Sequence, residues 1–86
     1  MNTLVLEPRA KNVRFEADTM WIDLADGSQL SVPLAYFPRL LSATPSEREK
    51  FIISGGGPGL HWSDLDEDIS ARALILGIGH RTKGAA

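Results

Sequence analysis

The sequence predicts one small α+β domain, a small antiparallel sheet with short helices on one face. The sheet consists of an N-terminal three-strand meander plus one or two later strands. Three observations predict it. From Lys11 to Leu34 apolar residues recur at every second position, the period of a strand with one buried face. From Ala35 the spacing becomes helical. Asp26-Gly27 and the run Gly55-Gly56-Gly57-Pro58-Gly59 then mark the tight turns that antiparallel neighbours need.

Val13, Phe15 and Ala17 form the apolar row of the first strand, alternating with Arg14 and Glu16. A turn near Asp18-Thr19 leads to a second strand with Met20, Ile22 and Leu24 on the same side. After Ala25-Asp26-Gly27-Ser28 the third strand carries Leu30, Val32 and Leu34. Trp21 falls on the polar side, where either its own chain covers it or a partner reaches it.

Tyr36, Phe37, Leu40 and Leu41 predict a short helix over 35–42, with Pro38 in its first turn, where a missing N–H costs little. Thr44-Pro45-Ser46-Glu47 is a capping box that starts a two-turn helix over 45–50, its charges on a solvated face. Phe51-Ile52-Ile53-Ser54 reads as a fourth strand. The glycine run turns the chain, and Leu60-His61-Trp62 returns as a fifth. Asp64 to Asp68 is too acidic for a strand interior and reads as a loop or a single 3₁₀ turn. Ser70 caps a last helix, from Ala71 to about Ile78, with Leu74, Ile75 and Ile78 inward. Residues 1–10 and 80–86 then stand as tails on a single domain over 11–79.

With 86 residues there is room for one core. A hydrophobic fraction of 43% is enough to build it, so disorder along the whole chain is not expected. The absence of cysteine excludes a disulfide scaffold, a thiol nucleophile and a cysteine-held metal. The longest apolar stretch, Ala73 to Gly79, is far short of the roughly 20 residues that cross a bilayer. Leu4–Leu6 has no basic segment ahead of it, so no signal peptide is read and a cytoplasmic location follows.

The net charge of −2 hides a segregation. Residues 1–14 carry three bases against one acid, and 81–86 add Arg81 and Lys83. The body between them holds ten acids and four bases, a net −6. Direct nucleic-acid binding, which needs a basic face, is not expected of such a body.

None of the chemistry-bearing groupings completes a catalytic pattern. A phosphate cradle needs its glycines followed directly by a helix N-terminus, whereas strand residues follow Gly59. The run reads instead as a wide hairpin turn that lets backbone pack closely. Asp64, Asp66 and Asp68 match the first three ligand positions of a calcium loop. Its sixth position would be Ile69 and its twelfth Ile75, which cannot serve. His61 and Asp64 with Ser63 are chain neighbours, and strand alternation sends His61 and Trp62 to opposite faces. No metal, cofactor or catalytic residue is assigned.

The stretch from Val32-Pro33-Leu34-Ala35-Tyr36-Phe37-Pro38-Arg39-Leu40-Leu41 through Ala43 to Arg48, and the stretch from Gly55 to Ser70, resemble a small bacterial family. It is known as a domain of unknown function, number twenty-four forty-two. Its signatures here are Phe-Pro-Arg-Leu-Leu and Gly-Gly-Gly-x-Gly-x-His-Trp-x-Asp-Leu-Asp-Glu-Asp-Ile, and the resemblance spans about residues 11–79. It implies short α+β proteins, standing alone or placed before a helix-turn-helix domain. Many are encoded beside another small protein, resembling a toxin–antitoxin pair. The segment after Gly79 is too short for a helix-turn-helix.

The expected function is a non-catalytic interaction or regulatory module, an antitoxin-like binder of a small protein partner. Its candidate surface is Trp21, Tyr36, Arg39, His61, Trp62, Asp64, Asp66, Glu67 and Asp68. Aromatics and arginine make good anchors, and acids steer a basic partner. Two alternatives stand beside it. One is a small ligand-binding protein or enzyme using the glycine turn, His61 and the acidic loop, with His61 facing a pocket. The other is a homo-oligomer held through a sheet edge or Trp21.

Overall fold

The computed structural model describes residues 8–77 and the backbone of residues 80–83. Strands β1 (Ala10–Glu16), β2 (Thr19–Leu24) and β3 (Ser28–Pro33) form the antiparallel meander, with Phe15 opposite Met20 and Ile22 opposite Leu30. The alternation holds along it: Val13, Met20, Ile22, Leu24, Leu30 and Val32 are all buried. Two positions depart from it. The register slips between Ala10 and Asn12, a bulge at Lys11 that brings Ala10 onto the buried side with Val13. Ala17, expected in the apolar row, is instead exposed in the turn at φ 52. A two-residue hairpin between Glu16 and Thr19 demands positive φ, and turn geometry overrides the alternation.

The single helix expected over 35–42 is two pieces, a 3₁₀ turn (Leu34–Tyr36) and α1 (Pro38–Leu41). They break at Phe37, with φ −129 and ψ 84, because the following proline ring crowds the residue before it out of the helical region. Helix α2 (Pro45–Arg48) begins with the capping box: the Glu47 amide donates to Thr44 Oγ1 at 3.1 Å and the Thr44 amide donates to Glu47 Oε1 at 2.8 Å. Its charges do not all face solvent. Arg48 is half-buried and donates to the carbonyls of Leu40 (2.8 Å) and Leu41 (2.9 Å), closing the C-terminal end of α1.

Three short strands follow, β4 (Ile52–Ser54), β5 (Gly59–Trp62) and β6 (Glu67–Ser70), then α3 (Ala71–Leu76). β6 corrects the expected acidic loop at residues 67–68. An edge strand needs only one inward apolar residue, here Ile69, while Asp68 points outward and Glu67 lies half-buried at the strand's start. Ser70 caps α3, its Oγ accepting from the Ala73 amide at 3.2 Å. Leu74 of α3 is buried and Ile75 half-buried; Ile78 lies outside the described residues.

The strands make two sheets rather than one, in the orders β1-β2-β3-β7 and β4-β5-β6. β7 (His80–Lys83) runs antiparallel to β3, with Ser31 opposite His80 and Ser28 opposite Lys83, so residues 80–83 are not a tail. His-Arg-Thr-Lys has no apolar period to announce a strand, because an edge strand is held by backbone pairing. The N-terminal boundary also moves. The Ala25 amide donates to the Arg9 carbonyl at 2.9 Å, and Ala10 already belongs to β1.

One core serves both sheets. Leu60, Trp62 and Ile69 from the second join Met20, Ile22, Leu30 and Val32 from the first, closed by Leu34, Leu40 and Leu74. The glycine run joins the sheets at one end, where the Ala10 amide donates to the Gly57 carbonyl at 2.6 Å. Gly57 has φ 118, and a Cβ there would stand 2.8 Å from both the Ala10 carbonyl oxygen and Arg9 Cβ. Only glycine fits so close an approach of two backbones, as the sequence led us to expect.

Candidate functional site

Strand alternation divides the second sheet into two faces. Ile53, Leu60, Trp62 and Ile69 face the core. The opposite face carries two cross-strand rows, Ile52–His61–Asp68 and Ser54–Gly59–Ser70, read directly from the register. Gly59 has no side chain, so the middle of the second row is open. Together these residues line an open hollow of about 490 Å³. A Cβ on Gly59 would come within 2.9 Å of Ser54 Oγ, a hydroxyl that would have to rotate aside.

Across the hollow, His61 Nδ1 lies 2.5 Å from Asp68 Oδ1. A carboxylate only accepts, so Nδ1 carries the hydrogen, and in the neutral tautomer that has this hydrogen Nε2 is the acceptor. The pair is wet: the His61 side chain is 39% exposed and that of Asp68 78%. The two serines are otherwise engaged. Ser54 Oγ donates to the Gly59 carbonyl at 3.2 Å, and Ser70 Oγ caps α3. Among the described residues no hydrogen bond joins either serine to His61, so the hollow holds an oriented imidazole without an activated nucleophile. Nor do the described residues contain a group of three or more His, Asp or Glu placed to hold a metal ion.

Beyond β5 the chain turns through 63–66, with Asp66 at φ 53, a conformation that aspartate tolerates better than most residues. Arg39 of α1 reaches this tip. Its Nη1 donates to the Asp66 carbonyl at 2.6 Å and stands 4.0 Å from Asp66 Oδ2. Lys50 Nζ lies 3.6 Å from Asp64 Oδ2. Both ion pairs are exposed and contribute little to stability. Their effect is positional, tying the corner that carries Tyr36 to the acidic hairpin.

Residues 10–80 match a family described as protein of unknown function, DUF2442. The chain belongs to this family. The crystal structure of a protein of unknown function from Rhodospirillum rubrum ATCC 11170 is similar, with a TM-score of 0.73 and 33% identity. The likeness covers 85% of this chain and 90% of that one. No curated protein matches the chain. Among the described residues no helix is long and apolar enough to cross a membrane.

Within this DUF2442 domain the sequence-derived surface divides. Arg39 meets Asp66 at the hairpin tip that also carries Asp64, while Tyr36, three residues before Arg39 in the preceding 3₁₀ turn, is 57% exposed. His61 and Asp68 face the hollow, whereas Glu67, opposite Trp62, is half-buried. Trp21 stands on the other sheet, half-buried, with Arg14 Cζ 5.4 Å from its ring centroid; its own chain supplies cover. Trp62 leaves the set altogether. It is 1% exposed, and its Nε1 donates to the Arg48 carbonyl at 3.0 Å, a core anchor rather than a contact for a partner.

Sequence reasoning weighed only Asp64 as an individual partner for His61 and set that pair aside; it grouped His61 with the glycine turn and the acidic loop but did not name Ile52, Ser54 or Ser70. The signal was present in the alternation. Once the turn is set at 63–66, a hairpin puts His61 opposite Asp68 and Ser54 two places along the same face. Reading Asp64–Asp68 as a loop hid that register.

Proposed function

We propose that this chain is a non-catalytic interaction and regulatory module of the bacterial cytoplasm, which holds a small basic protein partner in the manner of an antitoxin. One observation carries the reading. Arg39 bridges α1 to the tip of the β5–β6 hairpin beside Asp66, and the exposed Tyr36 precedes it by three residues in the adjoining 3₁₀ turn. Tyrosine and arginine are effective interface anchors because they contribute large contact area and directional bonds at modest entropic cost. The surrounding carboxylates raise the encounter rate with a basic surface. The acidic body of the chain extends that field.

The test is co-expression with the product of the adjacent gene, affinity purification and calorimetry. The expected result is a stoichiometric complex that Tyr36→Ala weakens at least about tenfold, the loss of one hot-spot side chain. The paired change Asp64→Asn with Asp66→Asn slows association and flattens its salt dependence. Absence of a complex at micromolar concentration overturns the reading.

A further inference from the structure

The hollow on the outer face of β4, β5 and β6 lies next to that hairpin but has its own chemistry. Its charged lining is a single carboxylate, Asp68, which bonds His61 through Oδ1. Beside it His61, its ring fixed by the bond from Nδ1 to Asp68, has Nε2 as an acceptor in the neutral tautomer. No lysine or arginine lines the space to neutralise these acceptors. The wall is the side chain of Ile52, 55% exposed, and the floor is backbone at Gly59. Two acceptors at one end and an apolar wall along the side match a cation at the tip of an alkyl stem.

We infer that this hollow is an anchor pocket for the guanidinium or ammonium end of one arginine or lysine side chain supplied by the protein partner. Arginine fits better, since two acceptors on neighbouring strands suit its planar fork, while its methylenes lie along Ile52. The inference rests on the interaction reading for the source of the cation. Its chemistry rests on the hollow alone.

The experiment follows backbone amide spectra of the whole protein during titration with agmatine, with a blocked arginine tripeptide and with the glutamine counterpart of that peptide. Agmatine and the arginine peptide should give saturable shifts centred on Gly59, His61 and Asp68, and the glutamine peptide none. Asp68→Asn and His61→Ala, both at exposed positions that leave the core intact, should each weaken the arginine peptide about tenfold, as loss of a charge-assisted bond implies. Equal shifts from the glutamine peptide, a response spread over the surface, or unchanged affinity in both variants would overturn the anchor. Binding of agmatine without the arginine peptide would also overturn it, in favour of a free cation as ligand. The two readings fail separately: a partner complex indifferent to His61→Ala removes the anchor alone, and a saturable arginine site in a chain without a partner removes the interaction reading alone.

Discussion

Ala17 occupies the left-handed region at φ 52, where an L side chain costs about 1–2 kcal/mol, because the hairpin from β1 to β2 has only two turn residues. Its side chain is exposed and packs on nothing that would offset the strain. Ala17→Gly should therefore stabilise the fold by about 0.5–1 kcal/mol, the relief of strain less the greater freedom of unfolded glycine. A rise in the thermal midpoint of a few degrees would show it. Gly57 predicts the opposite sign. There φ is 118 and the Ala10 backbone blocks the Cβ position, so Gly57→Ala should cost about 3 kcal/mol or more and lower the denaturant midpoint sharply. The glycine was legible as a point of close approach. That β1 is the strand approaching it was not, since the two segments are some 47 residues apart in sequence.

At the scale of elements, the helices are too short to stand on propensity and depend on their ends. The capping box of α2 is written in the sequence as Thr44-Pro45-Ser46-Glu47, and the structure contains both of its hydrogen bonds. The closure of α1 is not written there, because the donor is Arg48, seven and eight residues downstream on the next helix. Arg48 also accepts from Trp62 through its main chain, which links α1, α2 and β5 at one residue. Arg48→Lys keeps the charge but cannot reproduce a fork that bonds two carbonyls at once. It should cost about 1–2 kcal/mol in chemical denaturation and speed exchange of the α1 amides, while leaving the fold intact. β6 and β7 show the limit of pattern reading for edge strands, which backbone pairing can hold without an apolar period in the sequence.

For the whole molecule the decisive feature is that two sheets share one core. Neither closes a hydrophobic interior alone: the apolar face of β5 and β6 needs the meander opposite, and Leu34, Leu40 and Leu74 cover both. Unfolding should therefore be a single cooperative transition. In Trp21→Phe the remaining tryptophan, Trp62, reports on the packing of the shared core, while far-ultraviolet circular dichroism reports on the backbone of both sheets. Coincident midpoints are expected, and separated ones would show that unfolding is not a single transition. Among the described residues the same arrangement leaves the outer face of the second sheet open, with the hollow and the acidic hairpin exposed on it.

The sequence by itself determined the class, the meander, the caps and turns, and the family, because each is set by local period, local hydrogen bonding or a contiguous signature. It also determined the acidic body and the absence of a contiguous catalytic motif. Only the tertiary structure decided that there are two sheets, that Trp62 is a core anchor, that His61 answers to Asp68, and that Arg39 reaches Asp66. Those outcomes depend on pairing register and on contacts between distant segments. A shift of one residue in a hairpin moves every side chain to the other face, so local pattern could name some residues of the site without arranging them.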